Sequence, residues 1–131
     1  PLWVLRMLAP WIEKFDRNYQ NLLDRLLAAK RGIVLPCTLC NWQQAPCFSR
    51  FGLTDGEVLL VGQITGKINA VITAAAKNRG LPVAEVGEDF TRLMQNDPRL
   101  GELGIKAQEC GTAPTAFYGP DAMHPGPVGW S

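Results

Sequence analysis

Two stretches with helical periodicity are each followed directly by a short apolar run, and this alternation constrains the fold more than any other feature. Apolar residues recur at three- and four-residue steps over residues 5–27 and again over 61–75, as on one face of an amphipathic helix. The runs that follow, residues 33–35 and 81–86, have the composition of short strands in a parallel sheet. The alternation predicts an α/β class in which ligands bind beyond the carboxyl ends of the strands.

Proline and glycine residues suggest where the helices begin and end. Pro10 lacks an amide hydrogen and is best tolerated in a first turn, so the first long helix should begin near residue 9 and end before Gly32. Thr54 and Asp55 are the two candidate N-caps of the second helix, and Gly80 is a candidate C-cap. A short third helix is expected over residues 89–95.

The rest of the chain is expected to be loop within a single, partial domain that spans residues 1–131. The two long loops are residues 41–56 and 97–120, and the first is a candidate for function because long loops often carry binding residues. Lys67-Ile68-Asn69 on the second helix reads as ordinary helix surface. The first residue, Pro1, is expected to be a processing or truncation boundary.

Charge argues against partners that are polyanions. The 13 Lys and Arg residues nearly balance the 12 Asp and Glu residues, for a net charge of +1, so no broad positive field attracts nucleic acid. Uninterrupted apolar runs stay well below the ~20 residues that cross a bilayer, so no membrane span is expected. The sequence does not assign a cellular compartment.

Four cysteines, Cys37, Cys40, Cys47 and Cys110, leave several alternatives open. They could provide four thiolates to zinc, but the glycine usual in a metal knuckle is missing, so no metal site is expected. A disulfide within residues 40–47, or from that loop to Cys110, is a second alternative. Cys37 is most simply a small buried apolar residue, and a nucleophilic cysteine lacks the expected sequence context.

Asp121 and His124 are the residues that most suggest catalysis. His124 is the only histidine and lies three residues after Asp121 in a turn bounded by prolines. A carboxylate at this spacing can fix the imidazole tautomer, so that the other ring nitrogen accepts a proton from a nucleophile. The alternative is a solvated loop carboxylate beside a surface histidine.

Five sequence motifs follow one another in a recognisable order. The helix with Asn18–Asp24 comes first, and the apolar strand that leads to Cys37-Thr38 and a long loop follow it. Residues 68–72 of the second helix and residues 80–86, Gly-Leu-Pro-Val-Ala-Glu-Val, come next, and Asp121-Ala122-Met123-His124-Pro125 closes the series. This order resembles the second half of the SGNH (GDSL-type) hydrolase family over roughly residues 5–128.

The resemblance implies a flavodoxin-like three-layer α/β/α fold with a parallel sheet that is incomplete in this chain. It further implies ester hydrolysis by a Ser–His–Asp triad without a cofactor, with His124 as general base and Asp121 as its orienting partner. The family's nucleophilic serine and oxyanion blocks are missing, because Ser49 and Ser131 match no such motif. The intact protein is therefore expected to be the enzyme, and the 131-residue chain alone is expected to be inactive.

Partners and substrate contacts complete this hypothesis. The substrate would be a small-molecule ester, with Thr38 at the end of the first strand and Trp42 and Phe48 in the following loop as candidate binding residues. These loop aromatics could instead anchor the loop to the core. A missing N-terminal segment or a second chain is expected to cover the open sheet edge. The alternative function is a non-catalytic α/β binding or structural module with a cysteine-stabilised loop.

Overall fold

A computed structural model of the chain describes residues 2–29, 32–41, 53–94, 106–110 and 116–118. Most of these residues are helical. The elements are α1 (Leu2–Ala28), α2 (Asp55–Lys77), α3 (Val86–Met94), β1 (Lys106–Cys110) and β2 (Ala116–Tyr118).

Helix α1 begins earlier than its sequence suggests. It starts at Leu2 and contains Pro10 in its interior, whereas the sequence predicts a start near residue 9. A proline inside a helix removes one hydrogen bond and crowds the preceding turn. The helix continues through it and buries Leu23, which is only 2% exposed.

Helix α2 has the end signals that the sequence predicts. At its start, the Thr54 N–H donates to the Glu57 carboxylate at 2.7 Å, and the Glu57 N–H donates to the Thr54 hydroxyl oxygen at 3.4 Å, which is a capping box. At its end, Gly80 has φ +64°, the left-handed conformation that glycine adopts without steric cost. Both caps are confirmed. The helix begins at Asp55, so the last two residues of the expected 41–56 loop are helical.

Residues 33–41 and 81–85 form two extended segments that are not assembled into strands. A single parallel bridge joins Cys37 and Ala84. The Thr38 N–H donates to the Ala84 carbonyl at 3.0 Å, and the Ala84 N–H donates to the Pro36 carbonyl at 2.8 Å. Helix α3 then begins at Val86, earlier than expected, so the apolar run at 81–86 ends in a helix.

Strands β1 and β2 form a two-stranded parallel pairing inside the expected 97–120 loop. Lys106 lies opposite Ala116 and Cys110 opposite Tyr118, with an irregular register between these pairs. This pairing does not include the two apolar runs from which the parallel sheet was predicted.

The expectation of a flavodoxin-like three-layer α/β/α fold with a parallel sheet is wrong for the described residues. A strand inside such a sheet needs neighbours on both edges and covering layers on both faces. Ile33 is 91% exposed and Leu35 is 52% exposed, and the bridge to Ala84 is the only backbone pairing that this segment makes among the described residues. The composition of residues 33–35 predicts burial on both faces. Composition alone, however, does not show which layers would cover those faces.

The chain divides into two compact units. The first comprises Pro1–Leu39 and Gln63–Val86, and the second comprises Cys40–Gly62 and Gly87–Ser131. In the first unit, α1 and the later part of α2 provide a small core of Leu23, Ile72, Ala75 and Ala76. The second unit contains the first turns of α2, nearly all of α3, and the β1–β2 pairing.

Helix α2 is long and apolar enough to cross a membrane by length and composition. It has 23 residues, and a window of it reaches a mean hydropathy of 1.4. The sequence expectation considered uninterrupted apolar runs, whereas this helix includes Gln63, Lys67 and Asn69 among its apolar residues. Core helices of globular domains have the same length and composition, so the expected absence of a membrane span stays a prediction.

Candidate functional site

Most of the predicted site residues lie outside the part of the chain that the structure describes. This set contains the two proposed catalytic groups, the two loop aromatics and the loop serine: Asp121, His124, Trp42, Phe48 and Ser49. Their roles stay predictions. Of the residues proposed to contact substrate, Thr38 is described.

Thr38 lies where the two extended segments meet. Its side chain is buried, with 5% of the residue exposed. Its hydroxyl donates to the Ala84 carbonyl at 3.4 Å, and its backbone N–H donates to the same oxygen at 3.0 Å. Both donors therefore hold residues 36–38 against Ala84, and the proposed contact between Thr38 and substrate stays a prediction.

Asn69 binds the next residue of this segment at two points. The Leu39 N–H donates to the Asn69 side-chain oxygen at 2.7 Å, and the Asn69 amide nitrogen donates to the Leu39 carbonyl at 2.8 Å. A carboxamide offers one acceptor and one donor in a plane, as a neighbouring strand would. The sequence predicts that residues 67–69 are ordinary helix surface. The one sequence signal for the contact with Leu39 is an asparagine inside an apolar helix, because asparagine is a poor helix former.

The parallel bridge determines where the two extended segments lead. Parallel neighbours run in the same direction, so the residues after Thr38 and those after Ala84 leave the bridge at the same end. Asn69 fixes the backbone of Leu39 at that end. Residue 42 and those after it follow from there, and after Ala84 the chain continues into α3.

Cys37 and Cys40 are free thiols. Cys37 is exposed and its Sγ donates to the Leu35 carbonyl at 3.6 Å, so the expectation that it is buried is wrong. Burial raises the pKa of the Cys40 thiol, which disfavours the thiolate needed by a nucleophile or a metal ligand. A disulfide through Cys40 is not formed, and the described residues contain no group of three or more side chains suited to hold a metal ion.

Arg79 joins the two long helices of the first unit. Its Nε donates to Asp24 at 2.8 Å, and its guanidinium also donates to the side-chain oxygen of Gln20 and to the backbone carbonyls of Gln20 and Ala75. The hydrogen bond from Arg79 lowers the pKa of Asp24. Because three of these four hydrogen bonds link α1 to the turn that follows α2, the role of the cluster is structural.

A shallow groove lies between α1 and α2 within the first unit. It has a volume of about 270 Å³ and is lined by Ala9, Ile12, Glu13, Lys67 and Ala70. Ligand pockets usually measure about 300–1,000 Å³ and contain several convergent polar groups. One carboxylate and one ammonium on an open apolar floor do not amount to such a site.

Evidence for a family comes from the sequence motifs alone. The SGNH-type order of helix, apolar segment, loop and Asp121-x-x-His124 supports a hypothesis about function. Comparison of the chain with protein-family models, with curated proteins and with solved structures finds no match.

Proposed function

We propose that this chain is part of an ester hydrolase of the SGNH type, to which it contributes the general base His124 and the orienting carboxylate Asp121. The nucleophilic serine and the oxyanion donors come from polypeptide other than residues 1–131, because Ser49 and Ser131 lack the family's nucleophile motif. The substrate is a small-molecule ester, and no cofactor takes part.

The observation that carries the proposal is the Asp121-x-x-His124 spacing in the only histidine-containing segment of the chain. In a serine hydrolase, the carboxylate accepts a hydrogen bond from one imidazole nitrogen and fixes the tautomer. The other nitrogen removes the serine proton as the hydroxyl attacks the ester carbonyl, and later returns it to the leaving group. Asp121 stays ionised and stabilises the imidazolium that forms.

The geometry of the first unit is compatible with this assignment. Cys37 and Ala84 form a parallel bridge, so the two segments that lead towards the proposed loop and catalytic residues leave this bridge at one end. The two hydrogen bonds from Asn69 to Leu39 restrain the backbone where the loop with Trp42 and Phe48 begins.

The first experiment uses residues 1–131 as purified protein. We expect no turnover of p-nitrophenyl acetate or butyrate and no labelling by a fluorophosphonate probe, because no activated serine or oxyanion hole is present. A known serine hydrolase at the same concentration is the positive control. Labelling at Ser49 would contradict the proposal that the nucleophile lies outside this chain.

The second experiment uses the product of the whole gene and tests the base directly. We expect His124→Ala to lower kcat/KM for p-nitrophenyl esters by several orders of magnitude, and Asp121→Asn by about 10⁴-fold because the wrong tautomer is then favoured. Glu88→Gln removes a carboxylate from an exposed position and is the matched control, with activity expected to be unchanged. Near-normal hydrolysis by His124→Ala would refute the assignment of the base.

A further inference from the structure

Cys37 and Cys40 are separated by two residues, and both of these residues are held by hydrogen bonds. The two cysteines are free thiols. The Thr38 N–H and hydroxyl both donate to the Ala84 carbonyl. The Leu39 N–H and carbonyl both bond to one asparagine side chain of α2. Four hydrogen bonds therefore hold the chain between the two thiols.

These bonds keep the chain extended, and an extended chain keeps the two thiols apart. Residues 33–41 contain no turn or bend, so Cα atoms three residues apart are separated by about 10 Å. A disulfide needs Cα atoms within about 7 Å of each other. A bond between Cys37 and Cys40 therefore requires a turn at Thr38 and Leu39. Such a turn moves these two residues out of their hydrogen bonds.

We propose that Cys37 and Cys40 form a redox switch, in which their disulfide and the four hydrogen bonds between them exclude each other. In the dithiol form, the segment is extended and bound to Ala84 and to α2. In the disulfide form, the chain turns between the two cysteines and the segment is released. Because the hydrogen bonds exist only in the dithiol form, they shift the equilibrium towards the thiols.

The oxidant is a low-molecular-weight disulfide, and the reaction takes place in two exchange steps. Cys37 is exposed, so its thiolate attacks one sulfur of the oxidant, releases one half as a thiol and forms a mixed disulfide. The Cys40 thiolate then attacks the Cys37 sulfur and releases the second half as a thiol. The protein loses two electrons and two protons, and the oxidant is reduced to two thiols.

The surroundings of the two thiols set this order of reaction. Cys40 is half-buried, and burial raises the pKa of its thiol, so it reacts more slowly with a dissolved oxidant than an exposed thiol does. Its attack on Cys37 also requires that Leu39 leaves its hydrogen bonds. The switch does not depend on the proposed hydrolase activity.

The first experiment tests for the disulfide in the unsubstituted chain. The purified protein is equilibrated with mixtures of reduced and oxidised glutathione, and its free thiols are alkylated. Chymotrypsin, which cleaves after Trp42, then separates Cys47 from the two switch cysteines without reduction. We expect a peptide with Cys37 and Cys40 that is two hydrogen atoms lighter than its reduced form. Glutathione adducts without this bond, or pairing of either cysteine with Cys47 or Cys110, would overturn the proposal.

Hydrogen exchange tests whether the disulfide releases the segment. We expect the Thr38 and Leu39 amides to exchange at least tenfold faster in the disulfide form, because their hydrogen-bond partners are then lost. Cys40→Ser in the same oxidised buffer is the matched control, and its two amides are expected to keep the protection of the dithiol form. The amide of Ile72, in the buried part of α2, should not change. Equal exchange in the dithiol and disulfide forms would overturn the proposal.

A variant of the α2 asparagine tests the coupling between the hydrogen bonds and the disulfide. Asn69→Ala removes two of the four bonds, so we expect the equilibrium constant for disulfide formation with glutathione to rise at least tenfold. Asn21→Ala, at an exposed position of α1, is the control and should leave this constant unchanged. Circular dichroism establishes that both variants retain their helices. Equal constants for Asn69→Ala and the unsubstituted chain would overturn the proposal.

Discussion

Replacing Asn69 with alanine removes both hydrogen bonds that hold Leu39 against α2. Net contributions of about 1 kcal/mol per hydrogen bond predict that the free energy of unfolding falls by about 2 kcal/mol. The better helix propensity of alanine offsets roughly 0.5 kcal/mol of this loss. The net destabilisation is therefore about 1.5 kcal/mol. With an unfolding entropy of about 2.1 cal/mol/K per residue over the 131 residues, the midpoint should fall by about 5 °C.

Two measurements check this prediction against a matched control. Asn21→Ala removes an exposed asparagine that makes no side-chain hydrogen bond in the described part of α1, so only the gain of about 0.5 kcal/mol is expected. Urea unfolding should separate the two variants by about 2 kcal/mol. Hydrogen exchange should show loss of protection at the Leu39 amide in Asn69→Ala alone. Equal stabilities with an unchanged Leu39 amide would refute the role of Asn69.

Two further predictions concern the ends of α2. Thr54→Ala should lower the free energy of unfolding by about 1 kcal/mol, measured by urea unfolding at pH 7. The hydrogen bonds from Thr54 lower the pKa of Glu57. The cap therefore stabilises the fold above the ordinary pKa of a glutamate, and this contribution is lost as the pH falls through the lowered pKa of Glu57. An effect of Thr54→Ala as large at pH 3 as at pH 7 would contradict this. Gly80→Ala should destabilise by about 1 kcal/mol because φ is +64°, whereas Gly66→Ala, inside the helix with open space around it, should stabilise by roughly 0.5–1 kcal/mol. Thermal shifts of the same sign for the two alanine variants would count against this reasoning.

Features set by neighbouring residues were predictable from the sequence, and features set by distant ones were not. The caps at Thr54 and Gly80 depend on residues within one or two helical turns, so their sequence signals were sufficient. The link between Leu39 and Asn69 spans 30 residues, and an asparagine on a helix surface does not identify its partner. The sequence predicts that Ile33 is buried, but an apolar run has the composition of a buried strand without showing what buries it.

Within the candidate site, the sequence identified residue types but not their arrangement. Asp121 and His124 are a chemically sensible pair on spacing alone, and this pair stays a prediction. The place of Thr38 at the end of an apolar run predicts a substrate contact, and in the structure its hydroxyl donates to the Ala84 carbonyl. A hydrogen bond to a backbone carbonyl cannot be predicted from residue identity, because every residue type has a carbonyl group.

Pro10 divides α1 into two segments that need not open together. Without an amide hydrogen at Pro10, the carbonyl of Arg6 loses its intrahelical partner. Met7 and Trp11 around this break are 65% and 69% exposed, so little burial compensates for the missing bond. The turns before Pro10 can therefore unwind while the segment that holds Leu23 stays folded. Helix α1 thus has two local stabilities, and proteases should reach the residues before Pro10 without waiting for the whole chain to unfold.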